Sequence, residues 1–386
     1  MARIDGEELI AAARAATGLS DFGGETFREG LAQLLGALER EADLNAAGEA
    51  TARHGITGAL SNRLRVQDWL ARHPEIEREE IEGPWLIVGL PRTGTTALSF
   101  LLSQDPEVRY LRTWEAGAPC PPPEKASEHS DPRIAATAAG MEAAGSIYPE
   151  LRLMHEATPT GPSECEGLLS MEMKSQHFDG SFRVPGYARW WADCDMIPAF
   201  QWHRRTLKLL QWRCPPNRWR LKAPYHIFHL EEWLRVYPRT RFIMTHRDPA
   251  MVLPSVCSLI GVFQRAWCNS PDPAGLGRWL SEYWAEGLRR AIAWRDEHGD
   301  AGWVDVTHRE IVRDPLGTVG RIYQAFGEKL SPAAAARVQA WVDENPKDKH
   351  GRHLYRAEDF GLSAEGLREQ YRFYLDRFDI PIERGG

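Results

Sequence analysis

The sequence predicts an α/β fold with a central, mainly parallel sheet and added helices. Three observations lead there. WLIVGL, from Trp85, is a short continuous apolar run, the signature of a strand buried on both faces. A glycine-containing loop and a helical stretch, ALSFLLSQ, follow it directly. Further short apolar runs then alternate with helical segments, as strands and crossover helices do in a parallel sheet.

Taken in order, residues 1–83 read as a helical N-terminal extension. Segments 7–17, 27–47, 59–72 and 74–81 space apolar residues three and four apart, with Gly18, Gly23, Gly24 and Pro74 as punctuation. Residues 84–386 form the α/β part. Its strands are expected at Trp85 onward, at VRYL (108–111), WRLK (219–222), RFIMTH (241–246) and WVDVTH (303–308). Helices are expected at 95–103, at 226–236 and after Pro249. PCPPP (119–123) is an extended, polyproline-like loop. It opens a mixed helical insertion around 120–213, a candidate wall for an acceptor site. The run 363–378 is helical and aromatic.

Composition narrows the classes. A chain of 386 residues, 43% hydrophobic and 26% charged, is an ordinary globular protein. Its net charge is −7 and no basic block stands out, which argues against a nucleic-acid binder. The N-terminal apolar stretch contains acids and is not a signal peptide. No apolar run approaches the roughly 20 residues of a transmembrane helix. The six cysteines form no CxxC pair and no zinc spacing, so they read as reduced thiols of a cytoplasmic protein.

The chemistry lies first in GLPRTGTT. On a strand–loop–helix frame, Pro91, Arg92, Thr93, Gly94, Thr95 and Thr96 surround a helix N-terminus. There, free backbone N–H groups and the positive end of the macrodipole meet an anion. Gly94 permits positive φ and close approach, the threonines add hydroxyls, and Arg92 adds a forked cation. Gly89 and Gly94 have the spacing of GxxxxGK[ST], but Thr95 stands where the nucleoside-triphosphatase lysine belongs. The loop is built for a phosphate-like anion rather than for Mg-ATP hydrolysis, and the fold is P-loop-like with three layers. A second anion site pairs Arg247, at the end of a strand, with Ser255 about two helical turns later.

Together the two motifs resemble the sulfotransferases that use 3′-phosphoadenosine 5′-phosphosulfate (PAPS), over roughly residues 85–380. PRTGTT resembles their 5′-phosphosulfate loop, and Arg247 with Ser255 their 3′-phosphate site. The long helical N-terminal part is most like that of bacterial members. The resemblance implies sulfuryl transfer to an acceptor hydroxyl by in-line displacement, with PAPS as co-substrate, the 3′,5′-bisphosphate PAP as product and no metal required. Arg92 and Lys222, the latter in LKAPYH at a strand end, are then the cations on the transferring group.

A base is also needed. Glu115 follows a DPEVR stretch, as the catalytic glutamate does in several branches of the family. His226 lies four residues after Lys222, a departure from the Lys-x-His of cytosolic members. Glu164, in GPSECEG, is a third candidate and an alternative acceptor ligand. Lys349, Gly351 and Arg352, in the basic run 347–356, resemble the family's nucleotide-closing loop. Trp190, Trp191, Trp202, Trp212 and Trp219, with Phe178, Phe182 and Phe200, either wall an apolar acceptor site or fill the helix core. They favour a small acceptor of apolar or lipid-like character. The rival readings are a P-loop phosphotransferase, with Asp305 as its acidic strand residue, and a non-catalytic nucleotide-binding protein.

Overall fold

Trp85–Gly89 (β1) is buried at every position, as its unbroken apolar sequence requires. In the computed structural model, which describes residues 4–150, 157–346 and 355–383, this strand sits at the centre of a five-stranded sheet. The others are Arg109–Tyr110 (β2), Trp219–Lys222 (β3), Arg241–His246 (β4) and Trp303–Thr307 (β5). Their order is β2-β3-β1-β4-β5 and every pairing is parallel. All five predicted strands are present. β1 leads by way of its helix to one side of the sheet, and β4 leads to the other. The crevice at the carboxyl ends of β1 and β4 is therefore the switch point, where ligands bind in open α/β sheets.

Side chains alternate across the sheet and make the fold three-layered. Trp85, Ile87, Ile243, Val304 and Val306 pack against helices Thr95–Leu102, His308–Arg313, Pro315–Ala325 and Pro332–Glu344. Leu86, Val88, Leu221, Phe242 and Met244 face the larger core, which continues into the N-terminal and inserted helices. Helices Pro273–His298, Pro315–Ala325 and Pro332–Glu344 carry no expectation from the sequence.

The N-terminal helices run Gly6–Thr17, Phe27–Glu41 and Ala46–Arg72, followed by a short 3-10 turn at Pro74–Arg78. The expected helix 27–47 thus ends early. Asn45 starts a new helix, its side chain accepting from Gly48 N at 2.9 Å, so the third helix begins well before residue 59. These helices share the main core. Arg63 is fully buried, ion-paired to the fully buried Glu172, donates from Nε to Phe22 O at 2.9 Å, and lies 3.9 Å over the Trp202 ring.

One expectation changes, and one open alternative resolves. Helix Pro249–Trp267, with 19 residues, does meet the length and apolar composition of a membrane span; 67% of it is buried in the fold, where its apolar sequence is used in packing. The aromatic stretch is mostly core: Trp191, Trp202, Trp219, Phe178, Phe182 and Phe200 are all buried in it, with Trp190 and Trp212 partly buried against it.

Candidate active site

The phosphate loop forms because two glycines allow it. Gly89 has φ 125°, and a Cβ there would stand 2.7 Å from Thr245 O on β4. Gly94 has φ 93° and begins helix Thr95–Leu102; a Cβ there would lie 3.0 Å from Ile311 Cδ1. Arg92, between them, is also left-handed, at φ 64°. For a non-glycine residue this is strained backbone, of the kind that clusters at ligand sites. Thr93 is buried and ties the loop down, with Oγ1 donating to Leu90 O at 2.6 Å and meeting Thr245 Oγ1 at 2.6 Å. Thr93 thus braces the loop by its side chain. No side chain caps the N-terminus of the helix, whose first-turn N–H groups have no intrahelical acceptor.

The two anion motifs meet. Arg92 Nε donates to Ser255 Oγ at 3.2 Å, across 163 residues of sequence. Arg247 Nη1 reaches Arg92 O at 3.4 Å. Burial, joined by the nearby Arg247 charge, pulls the Arg92 guanidinium below its ordinary pKa; Tyr355 and Glu164 oppose this. Two guanidinium groups crowded at an uncapped helix N-terminus fit an anionic ligand with phosphate groups at both ends.

Lys222 closes the carboxyl end of β3 and is almost fully buried. Its Nζ donates to Thr96 Oγ1 at 3.2 Å and pairs with Glu164 Oε1 at 3.0 Å. Backbone bonds fix Glu164 there: Ser163 N donates to Leu111 O at 2.7 Å and Cys165 N to Lys222 O at 3.1 Å. Residues 163–165 therefore lie across the ends of β2 and β3, and Glu164, a quarter exposed, sits at the crevice. Beside it, Glu166 hydrogen-bonds to Glu164. Burial, then the Glu164 charge, hold Glu166 well above the usual carboxylate range. Sequence reasoning missed Glu166, although the spacing Glu164-x-Glu166 was visible in ECEG.

The structure puts the two leading base candidates elsewhere. Glu115 is fully buried. Its Oε1 accepts from Arg109 Nη2 at 2.7 Å and Arg112 Nη1 at 3.3 Å, and its Oε2 from Arg112 N at 3.1 Å. It is the N3 carboxylate of the short helix Thr113–Gly117, with both oxygens engaged by two arginines and a backbone N–H. His226 is buried between Phe200 and Trp233, at ring centroid distances of 5.1 and 4.8 Å, with neither nitrogen hydrogen-bonded. Burial, with His203 and His229 adding to it, keeps it neutral. The motif match to DPEVR and the nearness of His226 to Lys222 in sequence misled. Lys349, Gly351 and Arg352 lie outside the described residues. Asp305 accepts from Arg295 at 2.8 and 2.9 Å and meets His246 at 2.8 Å; it joins β5 to its neighbours and is not an open strand-end carboxylate.

Known proteins agree with this architecture. The sulfotransferase family profile matches residues 84–332. Over 309 residues, 76% of this chain and 74% of the relative, the sequence is 26% identical to omega-hydroxy-beta-dihydromenaquinone-9 sulfotransferase Stf3 of Mycobacterium bovis, and equally to that of Mycobacterium tuberculosis. Among solved structures, sulfotransferase STF9 from Mycobacterium avium superposes with a TM-score of 0.92 at 30% identity, covering 100% of both chains. Sulfotransferase STF1 from Mycobacterium tuberculosis H37Rv gives 0.85 at 32%, covering 96% of this chain and 98% of that one. With the profile spanning more than half its length, the chain belongs to the sulfotransferase family and is an enzyme of sulfuryl transfer.

Proposed function

We propose that this enzyme moves the sulfuryl group of PAPS to the hydroxyl of a small apolar or lipid-like acceptor, with Glu164 as the base. The observation that carries the reading is the chain of contacts Glu164–Lys222–Thr96. It joins a partly exposed carboxylate to a buried ammonium, and that ammonium to the first turn of the phosphate-loop helix. PAPS supplies an activated sulfuryl group on a good leaving phosphate. Arg92, Lys222 and the uncapped N–H groups stabilise charge on the leaving and equatorial oxygens, so that no step calls on a metal. Arg247 and Ser255 hold the 3′-phosphate. Glu164 takes the acceptor's proton, and Lys222, paired with it at 3.0 Å, holds the carboxylate at the end of β3.

The acceptor class rests on two supports. The Stf3 relatives are named for a hydroxylated dihydromenaquinone. In this chain, aromatic rings lead away from the carboxylate pair: Tyr225 packs on Trp284 at 5.2 Å, Tyr283 on Trp284 at 6.0 Å and Trp279 on Tyr283 at 5.0 Å. Trp279 also borders a cavity of about 170 Å³ of mixed lining, with Leu276 and Leu280 beside Asp179, Arg183, Gln264 and Asp272. All six cysteines are free thiols, consistent with a cytoplasmic setting. Turnover of PAPS to PAP with matched polar and apolar alcohols tests the reading. Product with apolar alcohols supports it; turnover confined to sugars would overturn the acceptor class, and turnover with ATP–Mg²⁺ alone would overturn the donor.

Glu166 gives a prediction with a pH signature. Burial, then the Glu164 charge, raise its carboxyl above the usual carboxylate range, where it shares a hydrogen bond with Glu164. Its folded-state pKa is raised, so its stabilising contribution is complete below about pH 4.5 and is lost as pH rises toward the folded-state value. Glu166→Gln keeps the donor and removes the titration. It is expected to turn over within roughly tenfold of the wild type. Its melting temperature should also fall less than the wild type's as pH rises above about 4.5, read by thermal shift. An unchanged pH slope would show that Glu166 is not protonated.

A further inference from the structure

Arg247 is held along one edge by a residue far away in sequence. Its Nε donates to Glu383 Oε1 at 3.0 Å and its Nη2 to Glu383 Oε2 at 3.2 Å. A guanidinium presents five N–H donors in a planar fork. This bidentate contact uses two of them and leaves the Nη1 side directed at the phosphate loop, where Nη1 meets Arg92 O at 3.4 Å. The segment that carries Glu383 is itself fixed. Glu383 N donates to Asp248 Oδ2 at 2.9 Å, and Glu383 O accepts from Arg368 Nη2 at 2.7 Å. Asp248 is fully buried, ion-paired to Arg368 at 2.7 Å, and caps helix Pro249–Trp267, which carries Ser255, by accepting from Ala250 N at 3.0 Å.

These ties separate two roles for a carboxylate at a phosphate-binding arginine. A carboxylate that occupies the site and leaves when the nucleotide arrives must give up both of its hydrogen bonds to Arg247, and a fixed backbone leaves it only side-chain rotation to do so. Here both backbone polar groups of Glu383 are bonded, to the buried Asp248 that caps helix Pro249–Trp267 and to the arginine paired with it. Glu383 also offsets one of two like charges, since Arg92 feels the Arg247 charge directly.

We propose that Glu383 is a positioning residue. It orients Arg247 so that the open edge of the guanidinium faces the nucleotide's 3′-phosphate, and so sets the preference of the enzyme for 3′-phosphorylated nucleotides. The inference rests on the reading of Arg247 and Ser255 as the 3′-phosphate site. Supporting the first contact with a rigid partner matters because an arginine free to rotate loses side-chain entropy on binding.

Calorimetric titration of the full chain with PAP and with 5′-AMP, which lacks the 3′-phosphate, tests it. The wild type is expected to prefer PAP, and Arg247→Ala to lose most of that preference. Glu383→Gln is expected to bind PAP roughly tenfold more weakly with AMP affinity unchanged. Unchanged AMP binding also shows that the variant is folded, and a purely structural role would weaken both ligands together. If Glu383→Gln keeps the wild-type ratio while Arg247→Ala loses it, the positioning role falls and the phosphate site stands. If Glu383→Gln binds PAP more tightly, Glu383 is a competing occupant and the proposal is overturned. If Arg247→Ala keeps the ratio, the phosphate assignment falls and the inference with it.

Discussion

Arg92→Ala is expected to lower kcat for sulfuryl transfer by about 10²–10³ while leaving the fold intact. The guanidinium is largely buried at a helix N-terminus, in surroundings where a fixed cation acts more strongly on developing charge than it would in water. Its removal should therefore be felt in the transition state more than in ground-state binding. The backbone cost is small. Arg92 already occupies a left-handed conformation at φ 64°, and alanine adds no strain that arginine does not carry. The hydrogen bond lost is the one to Ser255 Oγ. Release of PAP from PAPS, followed with saturating donor and acceptor, measures the effect. A kcat close to wild type would remove Arg92 from the chemistry.

Glu164→Gln should cost about 10²–10⁴ in kcat, the range spanned by a positioned general base. The amide cannot take the acceptor's proton, and Lys222 loses its anionic partner at 3.0 Å. PAP affinity should change little or rise slightly, because a negative charge leaves a site built for anions. This split distinguishes the base from a residue that only binds nucleotide. Glu115→Gln offers the contrast. It strips charge from a fully buried carboxylate between Arg109 and Arg112, so its loss should be read in stability and not in the ratio of kcat to PAP affinity. A full loss of kcat in Glu115→Gln with an unchanged melting curve would reverse the two assignments.

Why the sequence disclosed some of this and hid the rest follows from locality. The phosphate loop was legible because strand, loop and helix are contiguous, and the conformational demands on Gly89 and Gly94 are local. The placement of Arg247 and Ser255 was legible because both lie on one strand–helix connection. The proposed base was not. Whether a glutamate is spent or available depends on its partners in space: Arg109, Arg112 and Arg112's backbone saturate Glu115, whereas Glu164 lies over the strand end that carries Lys222. A motif match cannot register that difference. His226 is a similar case: four residues from Lys222 in sequence, it lies on a 3-10 turn with its ring against Phe200 and Trp233. Glu383 was invisible for a simpler reason, standing 136 residues from the arginine it holds. The N-terminal helix boundary at Asn45 turned on one side-chain cap, which apolar spacing does not reveal.

The Arg63–Glu172 pair ties the profile-matched region to the helices that precede it. The family profile begins at residue 84, whereas the solved relative STF9 aligns over this whole chain, first helices included. Glu172 lies inside the profile-matched region, and its only cationic partner among the described residues lies before it. A polypeptide trimmed to the profile-matched region would lose that partner together with the helices that cover Glu172 and the apolar core around it. Gly30 adds to this, with the Met173 carbonyl so close that a Cβ would stand 2.4 Å from it. The first three helices are therefore inner scaffolding of the enzyme, laid down before the catalytic sequence begins and needed to finish it.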